Sequence, residues 1–544
     1  MDFLRSMNLE EKMGQMVMVG VGGPELTPSD QAFISKYKIG NVVLLGRNIV
    51  HPAQAQCLTH RFQEIASRRR VPAGFLVSVD QEGGVVARLT RGETVLPGNM
   101  AIGATGSEEY ARRAAEVTAS EMMALGFNMN LAPVLDINNN PRNPGIGVRS
   151  FGEDVSLVAR LGVAMIRAYQ EAGVVATAKH FPGKGDVTVD SHLDLPTVAH
   201  ARERLDNVEL LPFAAAIRAG VEAIMTAHVF FPAVEPEPDL PATLSRNVLT
   251  GLLRKELGFD GVTLTDDLFM GAITKRFTLG EAAVRAIEAG ADIALLCHDQ
   301  VQQAAAIEAV WEAVRKGRLS EERVDESCGR ILALKERHGL LNPDGYLARR
   351  GLESVGGEEN RRAALDIARR SVTLLRNVQG LIPMVPRECR NLSVMSPDIR
   401  GLTQVEDGQL SESPLAAAIR RFVPGARDYA FPQTPDAEQT ARAARLALSS
   451  DVVVMGSYNA HIYKEQGALV RAVLDTGVPV VVVAMRNPYD IEQFPSVKTY
   501  VAAYGFRECT MQAVAEVIFG VTRPQGRLPV TIPGICAYGS GLTW

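Results

Sequence analysis

The chain has 544 residues, is 46% hydrophobic and 22% charged, and carries a formal net charge of -5. That length exceeds what one ordinary core organises, and the lack of basic excess argues against a nucleic-acid partner. No stretch approaches the ~20 consecutive apolar residues of a membrane span, so no membrane partner is expected either.

Residues 1–12 contain acidic side chains and no apolar core, which predicts no secretory leader. Six cysteines, Cys57, Cys297, Cys328, Cys389, Cys509 and Cys536, lack metal or disulfide-framework spacing. They read as reduced thiols of a cytoplasmic protein that uses no metal and no nucleotide cofactor.

From the start to about residue 340, short β-branched runs alternate with helix-length segments. The runs 15–19, 41–45, 75–79, 127–131, 174–178, 223–227, 261–265 and 293–296 predict eight strands, the count and period of a TIM-like (β/α)8 barrel. Residues 341–360 loosen into an Asn/Pro/Gly-rich stretch and read as a linker. Beyond it, strands at 371–375, 451–455, 478–483 and 499–503 predict an open parallel sheet flanked by helices, an αβα sandwich over 361–544. The fold class is α/β in two units.

Ionisable residues follow the predicted barrel strands: Asp80 after the third, Asp136 after the fourth, Lys179 and His180 after the fifth, His228 after the sixth, Asp266 and Asp267 after the seventh. The C-terminal strand ends of a parallel barrel open on one face, so these groups converge on one pocket. The densest stretch, 178–192, sets Lys179, His180, Lys184, Asp190 and His192 around a Pro/Gly turn, the composition of an active-site loop. Taken alone, Thr265-Asp266-Asp267 also reads as a helix N-cap, Asp190-Ser191-His192 as a local turn, and Asp80 with Arg149 as a structural ion pair.

Four separated motifs then carry a resemblance: Asp80 to Gly84, Lys179 to Gly183 with Asp190-Ser191-His192, Glu256 to Val262, and Thr265 to Met270. Together they resemble glycoside hydrolase family 3, within it the NagZ-type β-N-acetylglucosaminidases. The segment from Arg370 to Asn377 and that from Gly526 to Pro533 are similar to the family's C-terminal sandwich. The resemblance implies retaining hydrolysis of a terminal β-linked N-acetylglucosamine, with peptidoglycan fragments or chito-oligosaccharides as substrates.

It further implies that Asp266 is the nucleophile, that His192 is the acid/base, and that Asp190 orients the ring. An imidazole beside a carboxylate can give and then take a proton, and it spares the nucleophile a second negative neighbour. Asp80, Arg88, Arg149, Lys179 and His180 match the family's contacts to the sugar hydroxyls. His228 either lines the pocket or is a satisfied core histidine, Asp136 is expected to organise Arg149 or a strand end, and Asp267 to face away.

Members of this type have histidine where this chain has Lys184, a departure that bears on the anchoring of the dyad loop, on His192 and on an anionic aglycone. Two alternatives remain: a β-N-acetylglucosaminide phosphorylase of the same family, with Lys184 attracting phosphate, and a catalytically silent sugar-binding protein.

Overall fold

A computed structural model describes residues 3–347, 351–399 and 413–544. Eight parallel strands form the first sheet: β1 (Val17–Gly20), β2 (Asn41–Leu44), β3 (Leu76–Val79), β4 (Met129–Asn130), β5 (Val175–Phe181), β6 (Ala223–Thr226), β7 (Val262–Leu264) and β8 (Ala294–Leu296). They neighbour one another in chain order, and β8 pairs back onto β1. Each predicted barrel run overlaps one of them.

The seam between β7 and β8 is thin. A single bridge, Leu264 to Ile293, joins the two strands. Side chains add to the backbone bonds there: Thr265 Oγ1 accepts the Leu295 N–H at 2.9 Å, and Asp267 Oδ1 accepts the Cys297 N–H at 3.1 Å.

Helices wrap the barrel, and the one at Val155–Glu171 illustrates why they form. Asp154 caps it by accepting the Leu157 N–H at 2.6 Å, and Gly173 turns the chain away with φ +89°. Leu157, Val158, Leu161, Met165, Ile166 and Tyr169 recur at helical spacing and are buried against the sheet. Each Leu-sized side chain so buried contributes about 2 kcal/mol, and a charge at Leu161 would break the contact.

The second sheet holds β9 (Thr373–Asn377), β10 (Leu392–Pro397), β11 (Arg427–Phe431), β12 (Val452–Ser457), β13 (Val480–Ala484) and β14 (Thr499–Ala502). Their order is β9-β14-β13-β12-β10-β11. Every pair is parallel except β9 with β14, so the expected all-parallel sheet is corrected to a mixed one with an antiparallel edge. β10 and β11 escaped the sequence reading.

Of the stretch 341–360, residues 348–350 lie outside the described residues. The rest contains the short helix Pro343–Leu347 and the start of helix Glu358–Ser371. That second helix ties the units together, with Ala364 and Ile367 in the barrel core and Ala368 in the C-terminal core. The C-terminal core also takes Val85, Val86, Met100, Ala101, Ala104 and Val148 from barrel loops. No helix among the described residues is long and apolar enough to cross a membrane.

Candidate active site

A cavity of about 580 Å³ opens at the C-terminal ends of the barrel strands. Asp80, Arg88, Arg149, Lys179, His180, Lys184, His192 and Asp266 all line it. Residues up to 186 positions apart in sequence, Asp80 to Asp266, therefore share one wall, as the exits of parallel strands require.

The hairpin after β3, Gln81–Gly83 with Val86–Ala87, places one side of the site. Asn130 of β4 pins it, bonding both the N–H and the carbonyl of Gln81 at 3.0 Å. Glu82 points inward, where its carboxylate takes a two-pronged grip from Arg149 at 2.9 and 2.7 Å and the Lys179 ammonium at 2.7 Å. Lys179 also reaches Asp80 at 2.6 Å. Burial would raise the Glu82 carboxyl, but Arg149 and Lys179 outweigh it and bring it down to about 2. Arg149 thus pairs with Glu82 and not with Asp80, the structural ion pair the sequence also allowed, and of the two roles expected for Asp136 the strand end is the one it fills.

Asp136 instead serves β5. Its carboxylate holds His180 Nδ1 at 2.7 Å and the Lys184 N–H at 2.7 Å. Burial, followed by Lys184, Arg149 and Lys179, pushes the His180 ring well below the usual imidazole range. The ring is neutral, donates Nδ1–H to Asp136 and presents Nε2 to the cavity as an acceptor, 4.0 Å from Asp266 Oδ2.

The turn 182–185 is held through its backbone. A Cβ at Gly185 would meet the Ile137 carbonyl at 1.7 Å, so only glycine lets the two segments approach. Asn143 Nδ2 donates to the carbonyls of Lys184 and Gly185 at 2.8 and 2.7 Å. The Lys184 side chain is therefore not needed as an anchor, and its ammonium lies 3.3 Å from Asp266 Oδ2. Burial favours protonation of Asp266; Lys184, His228 and His192 together reverse this and hold the carboxyl well below the usual carboxylate range.

His192 Nδ1 meets Asp190 Oδ1 at 2.7 Å, and the same oxygen accepts the His192 backbone N–H at 3.0 Å. The loop docks on the segment after β7, with the carbonyls of Ser191 and His192 accepting the Ala272 and Gly271 N–H groups at 3.1 Å. Burial would raise the Asp190 carboxyl, yet its bonds to His192 leave it lowered. The pair is thus set for proton exchange through Nε2.

His228 does not line the cavity. It is fully buried, with Nδ1 on Thr243 Oγ1 at 2.8 Å and Nε2 on the Asp267 carbonyl at 2.9 Å. Burial takes its pKa down to about 4, so it is a neutral strut behind Asp266. Asp267 takes the Cys297 and Phe269 N–H groups, and burial pushes its carboxyl up to about 6. Among the described residues no group of three or more His, Cys, Asp or Glu side chains is arranged to hold a metal.

The model of the glycosyl hydrolase family 3 N-terminal domain matches residues 8–334, and that of the family's C-terminal domain matches residues 372–537. The chain belongs to glycosyl hydrolase family 3. A family 3 β-N-acetylglucosaminidase from Paenibacillus sp. str. FPU-7 is 44% identical, with a TM-score of 0.91 over 97% of this chain and 99% of that one. β-Hexosaminidase A of Pseudoalteromonas piscicida is 32% identical, covering 93% of this chain and 91% of its own length. A β-hexosaminidase of Pseudomonas aeruginosa is 38% identical over 54% of this chain and 86% of its own.

In this family 3 chain, sequence reasoning missed Glu82 as a site residue. Two buried cations beside one carboxylate call for a second, but the sequence alone does not show that Lys179 and Arg149 are buried together. Arg47 and His298 on the far wall were also missed; Arg47 Nη1 lies 3.3 Å from His298 Nδ1.

Proposed function

We propose that this chain is a retaining exo-β-N-acetylglucosaminidase. It removes terminal β-linked N-acetylglucosamine from peptidoglycan fragments or chito-oligosaccharides in the cytoplasm. The observation that carries this reading is an ionised Asp266, 3.3 Å from Lys184, in the same cavity as a carboxylate-held His192. The similarity to the β-N-acetylglucosaminidase of Paenibacillus and the β-hexosaminidase A of Pseudoalteromonas supports the substrate class.

Asp266 attacks the anomeric carbon while His192, as imidazolium, donates its Nε2 proton to the departing glycosidic oxygen. The C–O bond breaks and a glycosyl ester forms on Asp266. His192, now neutral, takes a proton from the incoming water, whose oxygen attacks the anomeric carbon and releases Asp266. Asp190 holds the ring through Nδ1–H in both steps and stabilises the imidazolium. Net configuration is retained because the carbon is inverted twice.

The non-reducing end of the sugar lies against Asp80, Arg88, Arg149, Lys179 and His180. Lys179 and the arginines donate, Asp80 and the neutral His180 Nε2 accept, so hydroxyls are met in several directions. Hydrogen bonds that tighten as the ring flattens raise turnover.

The test is release of 4-nitrophenol from its β-N-acetylglucosaminide by wild type and Asp266→Asn, with the anomer first formed identified by NMR. Retained product and loss of turnover in the variant are expected. Inverted product, or full activity in Asp266→Asn, would overturn the reading. Acceleration by phosphate with N-acetylglucosamine 1-phosphate as product would make phosphate, not water, the acceptor.

A further inference from the structure

All cavity-lining residues come from positions 43–298, yet the C-terminal unit grips the loops that present them. Arg507 Nε donates to the Gly84 carbonyl at 2.7 Å, and Tyr489 accepts from Asn138 Nδ2 at 2.8 Å. Thr531 bonds Glu153 through its N–H and its hydroxyl at 2.7 and 2.6 Å. Nearest to the chemistry, Asn487 Oδ1 accepts the Val148 N–H at 3.1 Å. Val148 directly precedes Arg149.

Asn487 is fully buried and is itself fixed, its Nδ2 donating to Asn459 Oδ1 at 3.2 Å. The loop lies tight against it: Gly147 adopts φ +46°, and a Cβ there would meet Asn487 Oδ1 at 2.5 Å. Asn99 Nδ2 takes the Arg149 carbonyl at 2.8 Å from the other side. The Arg149 backbone is thereby clamped while its guanidinium orients Glu82, which in turn orients Lys179.

We infer that Asn487, from the C-terminal unit, is a positioning residue for sugar binding, acting through Arg149 on the Arg149–Glu82–Lys179 chain. This rests on the proposed contact of Arg149 with the terminal sugar. Without the Oδ1 acceptor the Val148 N–H is left unpaired, and the loop relaxes away from the geometry that aims Arg149.

Asn487→Ala is expected to raise KM about fivefold with kcat within about twofold, the factor one hydrogen bond supports. Binding of N-acetylglucosamine, read by calorimetry, weakens by the same factor, and the pH profile of kcat stays in place. In a double-mutant cycle with Arg149→Ala the two effects are not additive. If the alanine variant does not fold, Asn487→Ser, too short to reach Val148, reads the same quantity. A folded Asn487→Ala with wild-type KM, where Arg149→Ala raises it, overturns this inference alone. An unchanged KM in Arg149→Ala removes the sugar contact itself and overturns both.

Discussion

Lys184 Nζ stands 3.3 Å from Asp266 Oδ2, so the cation of the turn 182–185 belongs electrostatically to the proposed nucleophile. Lys184→Gln removes the largest of the influences that lower the Asp266 carboxyl, so burial, opposed only by His228, His192 and the Asp267 N–H, brings it up. The acid limb of the kcat/KM profile therefore moves to higher pH. A loss of about tenfold near pH 5, against a smaller loss near pH 8, is the expected reading. An equal loss at both pH values would show that Lys184 does not act through Asp266.

The Asp190–His192 pair makes a leaving-group prediction. Asp190→Asn removes the carboxylate that stabilises the imidazolium, lowering kcat about 10²-fold for an alkyl or sugar aglycone. A 2,4-dinitrophenyl glycoside needs little protonation and should lose much less. Equal losses on both substrates would remove His192 from the acid role.

Glu82 lies between two buried cations, at 2.7 Å from each. Glu82→Gln leaves Arg149 without a carboxylate in contact and Lys179 with Asp80 alone. The cost is about 3 kcal/mol of stability, measurable by urea denaturation. A stability within 1 kcal/mol of wild type, about the worth of one ordinary hydrogen bond, would contradict the account.

Buried groups also set how stability follows pH. His228, with its pKa lowered to about 4, and His180, also lowered, stay neutral when folded, whereas the unfolded rings protonate near 6.5. Stability from them is lost as pH falls through that window. Asp136 and Asp267, both raised to about 6, bind protons in the folded chain before the unfolded one, and so offset the loss down to about 4. Glu82 and Asp266, both lowered, then take over, and stability falls as pH drops below the usual carboxylate range. The urea midpoint should be nearly level from about pH 6.5 to 4.5 and decline steeply below it. A steady decline from pH 6.5 would contradict this balance.

The barrel was legible because each of its strands is buried on both faces and most read as apolar, β-branched runs, as in Asn41–Leu44 and Val175–Phe181. β10 and β11 were not: Leu392–Pro397 carries two serines and a proline, and Arg427–Phe431 is an edge strand with Arg427, Asp428 and Ala430 outside the core. In the site, residue types at strand exits pointed to Asp80, Lys179, His180 and Asp266. Their partners did not follow from spacing. Whether Arg149 meets Asp80, Asp136 or Glu82 depends on how the hairpin at Gln81–Gly83 turns, and that turn is fixed by Asn130 from another strand. His228 stayed open for a related reason: a histidine at a strand end reads equally as pocket lining or core, and only the positions of Thr243 and the Asp267 carbonyl at its two nitrogens decide for the core.

The thin seam between β7 and β8 falls directly behind the reacting carboxylate. With one bridge in place of a ladder, Thr265 and Asp267 stitch the two strands with their side chains on either side of Asp266. Opening there would part the backbone bonds and these side-chain stitches together, and with them the strand end that carries Asp266. Amide protons of Leu295 and Cys297 would exchange sooner than those of β2 or β3, and a sugar seated on Asp266 would slow both, making hydrogen exchange at the seam a direct gauge of occupancy.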